Sequence, residues 1–204
     1  TTTPAIMKTT TMNGNVAVEM ANSNGLLPGL INSLDADGFT ISNDNRVNQS
    51  NIHYYWTAFQ ATAGELTLGT YVGTGVPSSI NGIGFLPDYV IVSAENGAAS
   101  RHIPTTQSWT HPFFAEPFPN FNRITSIFND GFTVGNEIGV NANGVKYHYA
   151  AFKKVAGVMN LGAYGGNGIS GKAINGVGFM PEDVWVFGEA GNGGTLPVHH
   201  PRVL

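Results

Sequence analysis

Ile124 to Phe152 reads ITSIFNDGFTVGNEIGVNANGVKYHYAAF, laid out as strand, turn, strand, turn, strand. A matching stretch, INSLDADGFTISNDNRVNQSNIHYYWTAF, occupies Ile31 to Phe59. The two align without a gap. Each passes through Asp-Gly-Phe-Thr and a Val-Asn pair and ends in a Tyr-rich strand closed by Ala-Phe. Outside this stretch, Ile80-Asn-Gly-Ile-Gly-Phe-Leu-Pro and Ile174-Asn-Gly-Val-Gly-Phe-Met-Pro form a second matched pair. The repeat then runs from Ile31 to Pro104 and from Ile124 to Pro201, with a period of about 93 residues and a one-residue gap near Ser79.

Side chains alternate across a strand. Tyr54, Trp56 and Ala58 align with Tyr147, Tyr149 and Ala151, a similar set that predicts a core face. His53, Tyr55 and Thr57 align with Lys146, His148 and Ala150, a dissimilar set that predicts an exposed surface or an interface. Asn15 to Met20, Glu65 to Val72, and Tyr89 to Val92 read as further strands, and no stretch reads as a helix of useful length. Short period-2 strands separated by Gly turns predict an all-β fold of two similar antiparallel β-sandwich units.

The chain has 204 residues, of which 11% are charged, well below the usual quarter. Gly, Asn, Thr and aromatic residues fill the difference. Asn-Gly recurs at Asn13, Asn81, Asn143 and Asn175, where both residues suit tight turns. Polar but uncharged surfaces of this kind point to an extracellular, cell-surface or virion setting. The net charge of −4 and the absence of any basic run argue against nucleic acid as a partner. The chain has no Cys, which excludes thiolate metal sites and disulfides. No stretch is apolar enough for a membrane-spanning helix, so membrane insertion is not expected. The opening TTTPAIMKTTT does not read as a signal peptide. That leaves a removed leader or a longer parent chain.

The order I-x-G-x-G-F-x-P-x-x-V-x-V, a variable middle, I-x-S-x-x-x-D-G-F-T-V and a Tyr-rich strand ending Ala-Phe resembles the H-type lectin-like sandwich. That fold occurs in agglutinins and in phage tail-fibre receptor-binding proteins. The resemblance implies one contiguous unit over residues 75–153 and carries over no sugar-binding residue. Trp56 matches the Trp of the family's last strand, whereas Tyr149 replaces it in the second copy. The phasing leaves residues 1–60 as a back half and 163–204 as a front half, together making a second unit. Half-sandwiches expose unpaired edges. The halves close within one chain, or between neighbouring chains as a head-to-tail polymer, or the chain belongs to a longer array.

Asp35-Ala-Asp37-Gly38 has the opening of a calcium loop but lacks its later ligands, and reads as a hairpin turn. His199-His200 with His102 suggests a metal, but the repeat aligns His102 with Leu196, so no metal site is expected. Gly168-Ile-Ser170-Gly171 is not a nucleophile elbow. Glu182-Asp183 points its carboxylates to opposite faces, unlike a glycosidase pair. No cofactor and no enzymatic activity are expected. Candidate ligand or partner contacts are His53, Tyr55 and His148 on the variable face, and His111, Phe113 and Phe114 in the most aromatic loop, which also reads as a lid. The expectation is a non-enzymatic structural protein of a virion or cell surface that assembles with copies of itself. A carbohydrate- or receptor-binding module is the alternative.

Overall fold

The structure is a computed structural model describing residues 5–21, 24–107, 111–112, 122–186 and 198–201, with backbone alone at 111–112 and 198–201. It is all-β and antiparallel. The strands of the first part are β1 (Ile6–Met7), β2 (Val16–Glu19), β3 (Leu26–Pro28), β4 (Ile31–Asp35) and β5 (Gly38–Ile41). The single turn α1 (Asn45–Asn48) follows, then β6 (Leu66–Val72), β7 (Ser78–Asn81), β8 (Tyr89–Ala94), β9 (Arg101–Pro104) and β10 (His111–Pro112). The rest comprises β11 (Ile124–Phe128), β12 (Gly131–Val134), α2 (Ile138–Asn141), β13 (Lys146–Phe152), β14 (Asp183–Val186) and β15 (Val198–Pro201).

Two sheets face one another across the main core. One has the order β10-β9-β8-β13-β6, the other β11-β12-β7. Val90, Val92, Ala94, Ile103, Tyr147, Tyr149 and Ala151 on the first meet Ile124, Phe132 and Val134 on the second. Tyr147, Tyr149 and Ala151 are the predicted core face. Each large side chain buried here contributes about 1.5–3 kcal/mol through lost water contact. Tyr71 stacks on Tyr147 at 5.0 Å, and Phe132 meets Tyr149 edge-on at 5.5 Å. On β6 the residue paired with Tyr149 is Gly69. A Cβ there would lie 2.3 Å from the Tyr149 ring, so only glycine lets this ring lie across the strand.

The unit expected over 75–153 leaves out β6, which pairs with β13 along its whole length, from Lys146↔Val72 to Phe152↔Leu66. Without β6, β13 would be an unprotected edge. The opposite face of the five-stranded sheet is also covered. Leu66, Tyr89, Ile91, Ala150 and Phe152 pack with Met20 and Met7 from the N-terminal segment and with Met159, Leu161 and Trp185. Strands buried on both sides read as continuous apolar runs, as Tyr-Val-Ile-Val of β8 does. The variable set on β13 therefore is not an exposed face: His148 and Ala150 are buried beneath these segments.

The β4–β5 and β11–β12 hairpins carry the same register and the same irregularity after the first residue. Ile31↔Ile41 and Leu34↔Phe39 match Ile124↔Val134 and Ile127↔Phe132. Each leads into a one-turn helix whose capping carboxylate accepts a backbone N–H two residues on, Asp44 from Arg46 and Glu137 from Gly139. Beyond this the stretches part. Lys146–Phe152 is a strand because β6 and β8 flank it, whereas Ile52 to Phe59, expected as a strand, has no ladder. The sheet β1-β2-β3 covers Ile31, Ile41 and Val47 through Ala17 and Leu27, with Leu30 from the turn after β3 in the same cluster.

Candidate interaction surface

Residues 31–59 form an open half of a sandwich. Tyr54 Oη accepts from Gln49 N at 3.0 Å and donates to Asn45 O at 2.8 Å. Tyr147 makes the corresponding bonds with Ala142 N and Ile138 O, both at 2.7 Å. Asn48 Nδ2 donates to Ser42 O as Asn141 Nδ2 donates to Gly135 O. Phe39 meets Trp56 edge-on at 5.8 Å, as Phe132 meets Tyr149. Among the described residues no opposing half covers it. Phe132 is 0% exposed and Phe39 36%; Tyr149 is 7% exposed and Trp56 69%.

Residues 159–186 hold the matching front half, also open. Met159-Asn-Leu-Gly-Ala-Tyr164 parallels Leu66-Thr-Leu-Gly-Thr-Tyr71 of β6, and β14–β15 repeats the pairing of β8–β9. In the closed sandwich, Gly82 N and Gly84 N donate to the Asp130 carboxylate at 3.3 and 2.6 Å. These N–H groups, on either side of Ile83, converge on the carboxylate as an anion-binding nest, with left-handed backbone at Gly82 (φ +85°) and Gly84 (φ +89°). Gly176 and Gly178 stand at +86° and +87°. Among the described residues no carboxylate occupies this second nest. The hairpin carboxylate corresponding to Asp130 is Asp37, which is exposed and likewise has no such partner among them. The signal for this pairing was present in the recurring Ile-Asn-Gly-x-Gly-Phe and Asp-Gly-Phe-Thr, but sequence reasoning did not join the two.

Among the described residues the two open halves meet near Thr57 and Phe59. Thr57 Oγ1 donates to Asp183 Oδ2 at 2.8 Å, and Phe59 contacts both Trp185 and Phe152 ring to ring. Met159, Leu161 and Trp185 anchor the front half on the outer face of the first sandwich. Val184 and Ile174 remain exposed, although Val90, the counterpart of Val184, is fully buried.

The candidate residues do not form one site. His53 and Tyr55 are exposed beside Trp56 on the open half. His148 is 1% exposed and lies inside the molecule. Its Nδ1 is 2.7 Å from Thr11 Oγ1 and its Nε2 2.9 Å from Glu95 Oε1, which Lys146 Nζ also approaches at 3.5 Å. Burial pushes the imidazole pKa down, while the Glu95 carboxylate opposes that shift. A neutral ring that donates to Glu95 and accepts from Thr11 satisfies both contacts. His148 thus fastens the N-terminal segment and is not available to a ligand. His111 lies in β10, its backbone paired with His102, and its side chain is outside the described residues, as are Phe113 and Phe114 entirely.

Asp35 to Gly38 is a hairpin tip, with Thr40 Oγ1 donating to Asp35 Oδ2 at 2.8 Å. The register pairs His199 with Trp185 as it pairs His102 with Ile91. His199, rather than Leu196, is therefore the counterpart of His102. The side chains of His199 and His200 are outside the described residues. The charged groups that are buried serve the fold. Glu137 accepts from Arg101 Nη2 at 3.2 Å and lies 3.8 Å from Arg123 Nε, while Arg46 ties Asp44 to the buried Glu19 at 2.8 and 2.9 Å.

Comparison of the chain with protein-family models, with curated proteins and with solved structures finds no match. What the described residues show is two exposed half-sandwiches beside one closed unit.

Proposed function

We infer that this protein is a non-enzymatic structural subunit of a virion or cell surface, such as a fibre, decoration, sheath or appendage component, that assembles with copies of itself. The observation that carries this reading is the pair of open halves. The back half keeps the Tyr54 clamp of the closed sandwich, yet the two halves leave Phe39, Trp56, Ile174 and Val184 exposed. Contiguous exposed apolar surface marks an interaction site. The low charge of the chain suits close packing between identical subunits in an extracellular setting. The test is size-exclusion chromatography over a range of concentrations, with electron microscopy of the concentrated sample. Elution that moves to larger size with concentration supports the reading.

A second reading is a lectin-like carbohydrate- or receptor-binding module, in keeping with the sequence resemblance. The observation that favours it is the exposed row His53, Tyr55 and Trp56, since aromatic faces stack on sugar rings. A glycan array separates the two: clear saccharide binding by a small stable oligomer selects the second.

A further inference from the structure

We propose that the free edge of β5 receives Lys172–Asn175 of a second copy of this chain, and that the Gly176–Gly178 nest of that copy closes over Asp37. This rests on the self-assembly reading and names its joint. The template is inside the molecule. β12 holds β7 in the register Gly131↔Asn81, Phe132↔Ile80, Thr133↔Ser79 and Val134↔Ser78. The corresponding register is Gly38↔Asn175, Phe39↔Ile174, Thr40↔Ala173 and Ile41↔Lys172. It buries Phe39 and Ile174 and provides β5 with the second ladder it lacks among the described residues.

Charge fixes the register. The exposed Asp37 carboxylate is complementary to the N–H groups of Gly176 and Gly178, already turned to the φ values that Gly82 and Gly84 use to hold Asp130. Asp130 stands at φ +71° in the closed unit, whereas Asp37 is not in the left-handed region. Docking therefore turns the Asp37 peptide, a conformation Asp tolerates better than most residues. A second copy is the occupant because the chain's own front half is held on the outer face of its first sandwich by Met159, Leu161 and Trp185. Its own Lys172–Asn175 is exposed and forms no ladder.

The chain has no Cys, so introduced thiols report this joint alone. Thr133 Oγ1 and Ser79 Oγ lie 3.4 Å apart in the template, which marks Thr40 and Ala173 as the pair to link. Full-length chains carrying Thr40→Cys are mixed with chains carrying Ala173→Cys, oxidised mildly and resolved without reductant. The expected result is a disulfide-linked heterodimer whose yield falls about tenfold when Asp37→Ala is added to the Thr40→Cys chain, the loss of a charged hydrogen-bond acceptor. The doubly substituted chain, Thr40→Cys with Ala173→Cys, is expected to give a ladder of linked multimers. A doubly substituted chain that closes only on itself, with no dimer in the mixture, overturns the proposal in favour of closure within one chain. Wild-type self-association without any cross-link overturns this joint and leaves self-assembly standing. A wild-type monomer at all concentrations with no cross-link overturns both.

Discussion

Tyr54 and Tyr147 lie 93 residues apart and clamp the same two backbone positions, yet Tyr147 is sealed in the core and Tyr54 faces solvent. Their hydroxyls therefore differ in value. Tyr147→Phe leaves Ala142 N and Ile138 O unpaired in a part-buried site and is expected to cost about 1–3 kcal/mol in urea unfolding. Tyr54→Phe, whose backbone partners are open to water, is expected to cost under about 1 kcal/mol. Equal losses would mean that the two environments are alike.

Gly69 is the point where β6 and β13 cannot accept a side chain. Gly69→Val places carbon atoms where the Tyr149 ring lies and forces the ring out of the main core. The expected cost is about 1–3 kcal/mol. Gly162 holds the matching position in the open half and has nothing within 4 Å of its would-be Cβ. Gly162→Val is expected to leave the unfolding midpoint of the isolated subunit nearly unchanged.

Glu137 accepts from Arg101 Nη2 at 3.2 Å, lies 3.8 Å from Arg123 Nε and caps Gly139 N at 2.9 Å. Glu137→Gln removes the charge from a largely buried cluster, and thermal unfolding is expected to show a loss of about 3–5 kcal/mol. Asp44→Asn acts on a part-exposed pair with Arg46, where solvent screens the interaction, and its expected loss is under about 1 kcal/mol.

The pH dependence follows from His148. Its folded pKa is lowered, first by burial, so above about pH 6.5 the ring is neutral in both folded and unfolded chains and costs nothing. Below that pH the unfolded chain binds a proton that the folded one resists, so stability falls as pH drops. Glu95 and Lys146 are the charges that face the ring, with Thr11 at its other nitrogen. Asp44 acts in a separate window. Hydrogen bonds from Arg46 hold its carboxyl down at about 2, so its contribution is present above the ordinary carboxylate range and fades only as pH falls towards 2. Melting curves between pH 7 and 5 are expected to shift downward, and His148→Gln is expected to flatten that shift.

The hairpins, the all-β class and the inward face Tyr147, Tyr149, Ala151 were legible because period-2 alternation and Asp-Gly turns are local signals. The fate of His148 was not. Its exposure depends on the N-terminal segment bringing Thr11 and Met20 across the sheet, a contact between residues 137 positions apart for Thr11 and His148. Ile52 to Phe59 has the composition of a strand, but a strand also needs neighbours, and pairing is not written in the segment itself. Likewise β6 fell outside the expected unit because nothing in Leu66 to Val72 says that Lys146 to Phe152 is its partner.

The central claim is that the open halves join neighbouring subunits. Sedimentation velocity of the full chain over a hundredfold concentration range tests it most directly. The account predicts a sedimentation coefficient that rises with concentration as elongated multimers form, and a return to monomer in the Asp37→Ala, Gly178→Val double variant. A single monomeric species across the whole range would contradict it.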